Sequence, residues 1–184
     1  MATPPVAGAH YPARMARRRT VTLNPDVMEE VRGCYGLAGK PIPEPPPPST
    51  EWLHRLQHWS RDLVPYPGWP TEEFDFHHIF SPVESRWLRR GLLPWEMEDK
   101  WIGIMAEGEL LIARSWTRYI VSRIPYRLTD NGCVEALGLF HSTPERREDL
   151  DTVSRHVSSI LGWWTAGVWE RVAARGGWVL IDER

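Results

Sequence analysis

Residues 100–116 constrain the fold more than any other stretch of this chain. Strand-like apolar runs at 100–106 and 110–116 flank Glu107-Gly108, so the segment reads as one β-hairpin. A two-residue loop puts Ala106 opposite Glu109, Trp101 opposite Arg114, Lys100 opposite Ser115 and Asp99 opposite Trp116. One face then carries Asp99, Trp101, Gly103 and Met105 beside Leu110, Ile112, Arg114 and Trp116. The other carries Lys100, Ile102, Ile104 and Ala106 beside Leu111, Ala113 and Ser115. Both faces are apolar near the turn and polar at the open end, which predicts cover on both sides and a polar rim.

That rim concentrates chemistry. Trp95-Glu96-Met97-Glu98-Asp99-Lys100-Trp101 and Arg114-Ser115-Trp116-Thr117 bring three tryptophans, three carboxylates, a lysine, an arginine and two hydroxyls together. One reading is a latch, with Arg114 stacked on Trp101 and its fork meeting Asp99. The other is a ligand site with Glu98, Asp99 or Lys100 as catalytic candidates. Trp95, Lys100, Arg114, Ser115 and Trp116 would then be the binding residues. These motifs resemble those of uncharacterised small bacterial proteins that share an acidic-Lys-Trp strand start and an Arg-Ser-Trp-Thr strand end. In that family Gly follows the Thr, whereas here Arg118 does.

The other segments supply the frame. Residues 1–18 form a basic, Pro-rich tail expected to be disordered, and no apolar run follows its arginines, so it does not read as a secretory signal. Thr20-Val21-Thr22-Leu23 alternates, Asn24 can cap, and Pro25 and Asp26 suit a helix start, so 19–35 reads as a strand–helix appendage. The piece from Arg19 to Val31 resembles the opening of ribbon-helix-helix DNA-binding proteins, in which the strand pairs across a dimer and enters the major groove. That resemblance implies DNA-facing Arg19, Thr20 and Thr22. It stops at Gly33, Gly36, Gly39, Pro41 and Pro43, where the family's second helix should stand. Nucleic acid is expected as a partner only through this segment.

Residues 36–48 end in four prolines and read as a linker. Residues 49–184 read as a single α+β domain. Within it, Trp52, Leu56, Trp59 and Leu63 mark a helix capped by Ser49 or Thr50. Phe74, Phe76, His78 and Phe80 alternate, and Glu84 to Arg90 suggests helical turns ending at Gly91. An antiparallel β-meander follows over 100–106, 110–116, 119–128 and 133–140, with Pro125 pointing to an edge or a bulge in its third strand. Thr143 and Pro144 open a long C-terminal helix with a stripe from Leu150 to Val172 and an expected break near Gly162. Gly176-Gly177 ends it before a last strand at 178–181. The predicted architecture is a sheet of four or five strands covered on one face by this helix and by the 50–63 helix.

Composition excludes little but is informative. A net charge of −2 gives no global pull toward nucleic acid or anionic membrane. No run approaches the roughly 20 apolar residues of a membrane span. Cys34 and Cys133 make no ligand pair, so a cytoplasmic protein without a cofactor is expected. Eleven tryptophans make aromatic burial dominant, and with only Lys40 and Lys100 against twenty arginines, Lys100 stands out. No metal site is expected. The candidates His77, His78, Asp75, Glu72 and Glu73 with His141 and Asp149, and His54 with His58, lack a convergent ligand pattern. The function expected is a non-enzymatic binding protein of immunity, antitoxin or accessory type with a protein partner. The alternative is a small enzyme for a nucleotide-like or sugar-phosphate ligand, with an acidic base and a Lys/Arg anion clamp.

Overall fold

The computed structural model describes residues 18–94, 99–142 and 149–167. Trp95, Glu96, Met97, Glu98, the tail before Arg18, the Thr143-Pro144 helix start and everything after Gly167 lie outside the described residues. The elements are β1 (Arg19–Thr20), α1 (Pro25–Gly33), α2 (Thr50–Ser60), β2 (Val64–Pro65), β3 (Thr71–Asp75), β4 (His78–Ile79), α3 (Pro82–Arg90), β5 (Trp101–Ala106), β6 (Glu109–Arg114), β7 (Tyr119–Leu128), β8 (Val134–Ala136), β9 (Leu139–Ser142) and α4 (Leu150–Ala166).

The fold is α+β, as expected, but the sheet is larger and mixed. Among the described residues nine strands join it, ordered β1-β3-β9-β7-β6-β5, with β2 and β8 on β7 and β4 on β8. Alternation marked the regions of β1, β3 and β4 but not their membership of one sheet, and β2, only two residues long, left no periodic signal. β1 and β2 also pair in parallel, with β3 and β7. The hairpin register is the expected one, from Trp101 opposite Arg114 to Ala106 opposite Glu109. The two-residue turn sets this register, since both faces are apolar and alternation alone would also admit a one-residue slip. β7 is not an edge strand. Pro125 sits where β7 changes neighbour from β9 (last pair Arg123–Phe140) to β8 (first pair Tyr126–Ala136), so its missing N–H falls at a break between ladders.

The two helices expected on one face lie on opposite faces. On one, Trp101, Leu110 and Ile112 join Val153, Val157, Ile160, Leu161 and Trp164 of α4. On the other, Ile102, Ile104 and Ala113 are covered by Trp52, Leu56, Trp59 and Leu63 in and just beyond α2. Strand parity dictates this split, since each covering helix meets only one set of alternate residues. Gly103 makes the α4 side possible, because a Cβ there would stand 2.6 Å from the Trp164 indole.

α4 does not break at Gly162, which is inside the helix; a Cβ on it would lie 3.3 Å from the Met28 Cα of α1. Glycine there lets the two helices approach closely. The described helix ends at Gly167, whose φ of 62° is the left-handed C-cap conformation.

The segment read as an appendage belongs to this core. Val21 and Leu37 are buried in the α4-side cluster, and α1 packs against α4. Its strand pairs inside the same chain, parallel to β3, not across a dimer. Arg19 donates to both carboxylate oxygens of Glu72, at 3.0 and 2.7 Å, and Arg18 pairs with Glu73 at 2.9 Å. The strand that the ribbon-helix-helix resemblance would pair across a dimer has one edge paired with β3 in this chain, and its two arginines meet Glu72 and Glu73. The proline segment is strapped down as well: Trp87 Nε1 donates to the Pro43 carbonyl at 2.8 Å, and Arg86 pairs with Glu44.

Candidate functional site

The polar rim forms where the hairpin opens beneath α4. Trp101 is buried, and the Arg114 guanidinium lies 3.9 Å from its ring centroid. This is the stacked half of the expected latch, a contact worth about 1 kcal/mol or more once partly desolvated. The other half differs, since Arg114 makes no ion pair with Asp99. Burial lowers the Arg114 pKa, and Tyr66 is the anionic-capable neighbour that opposes the shift. Asp99 is buried and close to Tyr35, whose phenol is pushed up to about 12 by burial first, then by Cys34 and Asp99.

Ser115 is a brace. Its hydroxyl donates to the Asp99 carbonyl at 2.5 Å, and its backbone N–H donates to the Lys100 carbonyl at 3.1 Å. With the hydroxyl committed and the residue buried, it ties the two strand ends together below the rim. Lys100 is exposed. Trp116, on the turn that follows β6, is 69 % exposed, so it does not extend the Trp101 face as the strand reading assumed. The strand ends at Arg114, and the alternation ends with it. Of the candidate residues, the structure therefore brings Asp99, Lys100, Arg114, Ser115 and Trp116 to one end of the hairpin. It separates them into a buried brace (Asp99, Ser115) and a solvent face (Lys100, Trp116), with Arg114 between.

Several neighbours of this rim were not legible as such. His156 of α4 meets Trp101 edge-on, with ring centroids 4.8 Å apart, and His141 stands 5.5 Å beyond it. His141 Nδ1 and Ser122 Oγ, facing each other across β9 and β7, are hydrogen-bonded at 2.8 Å. Burial, then the nearby His141 and Arg114, lowers the His156 pKa to about 4, so the ring is neutral at ordinary pH. Tyr66 stacks on Trp69 at 3.5 Å and leans on Tyr119. The one sequence signal was the position of His156 three residues after Val153 on the apolar stripe.

Arg118 stands where glycine was expected, and its φ is 61°. The left-handed backbone costs about 1 kcal/mol for a residue with a Cβ. The side chain offsets this by donating to the His58 and Trp59 carbonyls, at 3.2 and 3.1 Å, and by lying 4.2 Å over the Trp59 ring. It thereby fastens the C-terminal end of α2 to the rim.

Among the described residues no three of those considered for metal binding come together. His77 bonds Glu135 at 2.8 Å, and Glu135 is held down to about 2 by Arg127 first and His77 second. Glu72 and Glu73 serve Arg19 and Arg18, and His58 is beside Arg118. Among the described residues no helix is long and apolar enough to cross a membrane. No protein-family model, curated protein or solved structure matches the chain.

Proposed function

We propose that this is a non-enzymatic cytoplasmic binding protein that engages a protein partner through the rim around Trp116, in the manner of an immunity, antitoxin or accessory protein. The observation that carries the reading is Trp116 itself, a large aromatic 69 % exposed on a braced turn. Tryptophan and arginine anchor interfaces because they bury much area for little lost side-chain freedom. Ser115 and the Trp101–Arg114 stack hold the turn, which lowers the ordering cost of binding. Ser115, a binding candidate, is buried with its hydroxyl committed to the Asp99 carbonyl, and Asp99, a candidate base, is buried as well, which favours binding through the exposed Trp116 over catalysis at this rim. These are also the residues by which the chain resembles the small bacterial proteins.

The test compares partner capture by the wild type, Trp116→Ala, Lys100→Glu and Leu128→Ala, the last an exposed apolar residue on β7. The melting temperatures should agree closely, since exposed substitutions change stability by about 0.5 kcal/mol or less. A partner retained by Leu128→Ala and lost by the two rim variants supports the reading. Equal retention by Trp116→Ala would remove it.

A further inference from the structure

Arg114 is anchored at the rim without a counter-ion. Its guanidinium lies over the Trp101 ring, 3.9 Å from the centroid. Among the described residues no carboxylate pairs with it and no acceptor takes its N–H groups. The residue is only partly buried, and none of its nitrogens is sealed from solvent. A planar, charged fork of donors is thus fixed on one ring and open to solvent. A partly desolvated charge without a partner is costly, and an incoming anion removes the cost.

Tyr66 is a second donor beside it. The phenol is close enough to oppose the lowering of the Arg114 pKa by burial. Its ring is stacked on Trp69 at 3.5 Å and leans on Tyr119 at 4.9 Å, which fixes its position. The hydroxyl has no hydrogen-bond partner among the described residues. The sheet places the pair: β6 ends on Arg114, and β2, paired with the start of β7, ends just before Tyr66.

These donors match one chemistry. A guanidinium fork takes both oxygens of a carboxylate side by side, and a phenolic O–H adds a further bond to the same group. The charge around them has the same sign. Lys100 is exposed at this end and pairs with no described carboxylate, while Arg118 donates to main-chain carbonyls. Asp99 is buried, and Asp62, beside Arg118, is exposed. Among the described residues the cations at this end outnumber the exposed carboxylates, so an acidic surface complements it.

We propose that Arg114 and Tyr66 form a carboxylate-binding site, filled by an aspartate or glutamate side chain of the partner that Trp116 engages. The protein occupant rests on the reading of the rim as a partner surface; the carboxylate site does not. Trp116 buries apolar area two residues along the chain, and the fork of Arg114 fixes the orientation of the bound surface.

Acetyl-glutamate N-methylamide and its glutamine counterpart are titrated into the full chain. The readout is the ¹H–¹⁵N signal of Arg114 Nε, with that of exposed Arg61 as the reference. The glutamate probe should move Arg114 saturably, leave Arg61 without saturation, and bind about tenfold more tightly than the glutamine probe. Tyr66→Phe, which keeps the stacked ring, should weaken it about fivefold. Arg114→Lys keeps the charge without the fork and should weaken it as well; Tyr66→Phe decides the matter if that variant does not fold. The site is overturned if Arg114 does not saturate, if the glutamine probe binds equally, or if Tyr66→Phe binds unchanged. Trp116→Ala should bind the probe as the wild type does, which reads this site apart from the Trp116 surface. A partner lost by Trp116→Ala but kept by Tyr66→Phe and Arg114→Lys would leave the partner reading standing and overturn the carboxylate occupant.

Discussion

At the scale of single residues, two positions carry constraints that their neighbours explain. Arg118 holds a left-handed backbone and repays it through the end of α2. Arg118→Ala keeps the strain and loses the contacts, whereas Arg118→Gly loses the contacts and relieves the strain. Denaturant unfolding should therefore rank wild type above Gly above Ala, with about 1 kcal/mol between the two variants. Ala at or above Gly would show that the strain is not real. At Gly103 the constraint is space, because a Cβ would press into the Trp164 ring. Gly103→Ala should destabilise by about 1–3 kcal/mol, the ordinary cost of overpacking a filled core. Part of that loss should return when Trp164 is shortened to Leu, and a loss that does not respond would place the strain elsewhere.

At the scale of elements, local chemistry was readable and long-range pairing was not. Asn24, Ser49 and Gly91 end or begin helices where the sequence placed those signals, since a cap is made by residues three or four apart. The hairpin was readable for the same reason. The 19–35 segment docks through long-range pairing: β1 is two residues long, and its partner β3 lies some fifty residues away. Nothing in an alternating strand and a capped helix says whether they stand apart or dock. Their docking makes a strong prediction. A chain beginning at Ser49 loses Val21, Val27, Met28, Val31 and Leu37 from the core and should lack the cooperative unfolding transition of the full chain. A folded, cooperative 49–184 fragment would restore the appendage reading.

At the scale of the whole molecule, α4 and the sheet enclose a neutral histidine. His156 has a folded pKa near 4, against about 6.5 when unfolded, so the unfolded chain binds the extra proton between those values. Its contribution is fully present above pH 6.5 and is lost progressively as pH falls toward 4, by about 3 kcal/mol in all. Stability measured from pH 7 to pH 4 should show this slope, and His156→Phe should flatten it. An unchanged slope in the variant would assign the effect to other groups. His141, Arg114 and Trp101 come from β9, β6 and β5, so this environment exists only once the sheet has formed against α4.

The sequence by itself determined the hairpin, the helix caps, the α+β class and the place of the Trp–Arg–Ser cluster at one end of the hairpin. Those are consequences of period, turn chemistry and contacts only a few residues apart, where closing the chain costs little. Only the tertiary structure decided which face each helix covers, that β1 and its arginines are spent on β3, and that Asp99 goes inward while Trp116 goes out. It also decided that Tyr66 stands beside Arg114. These outcomes depend on burial summed over elements distant in the chain, and no local pattern encodes that sum.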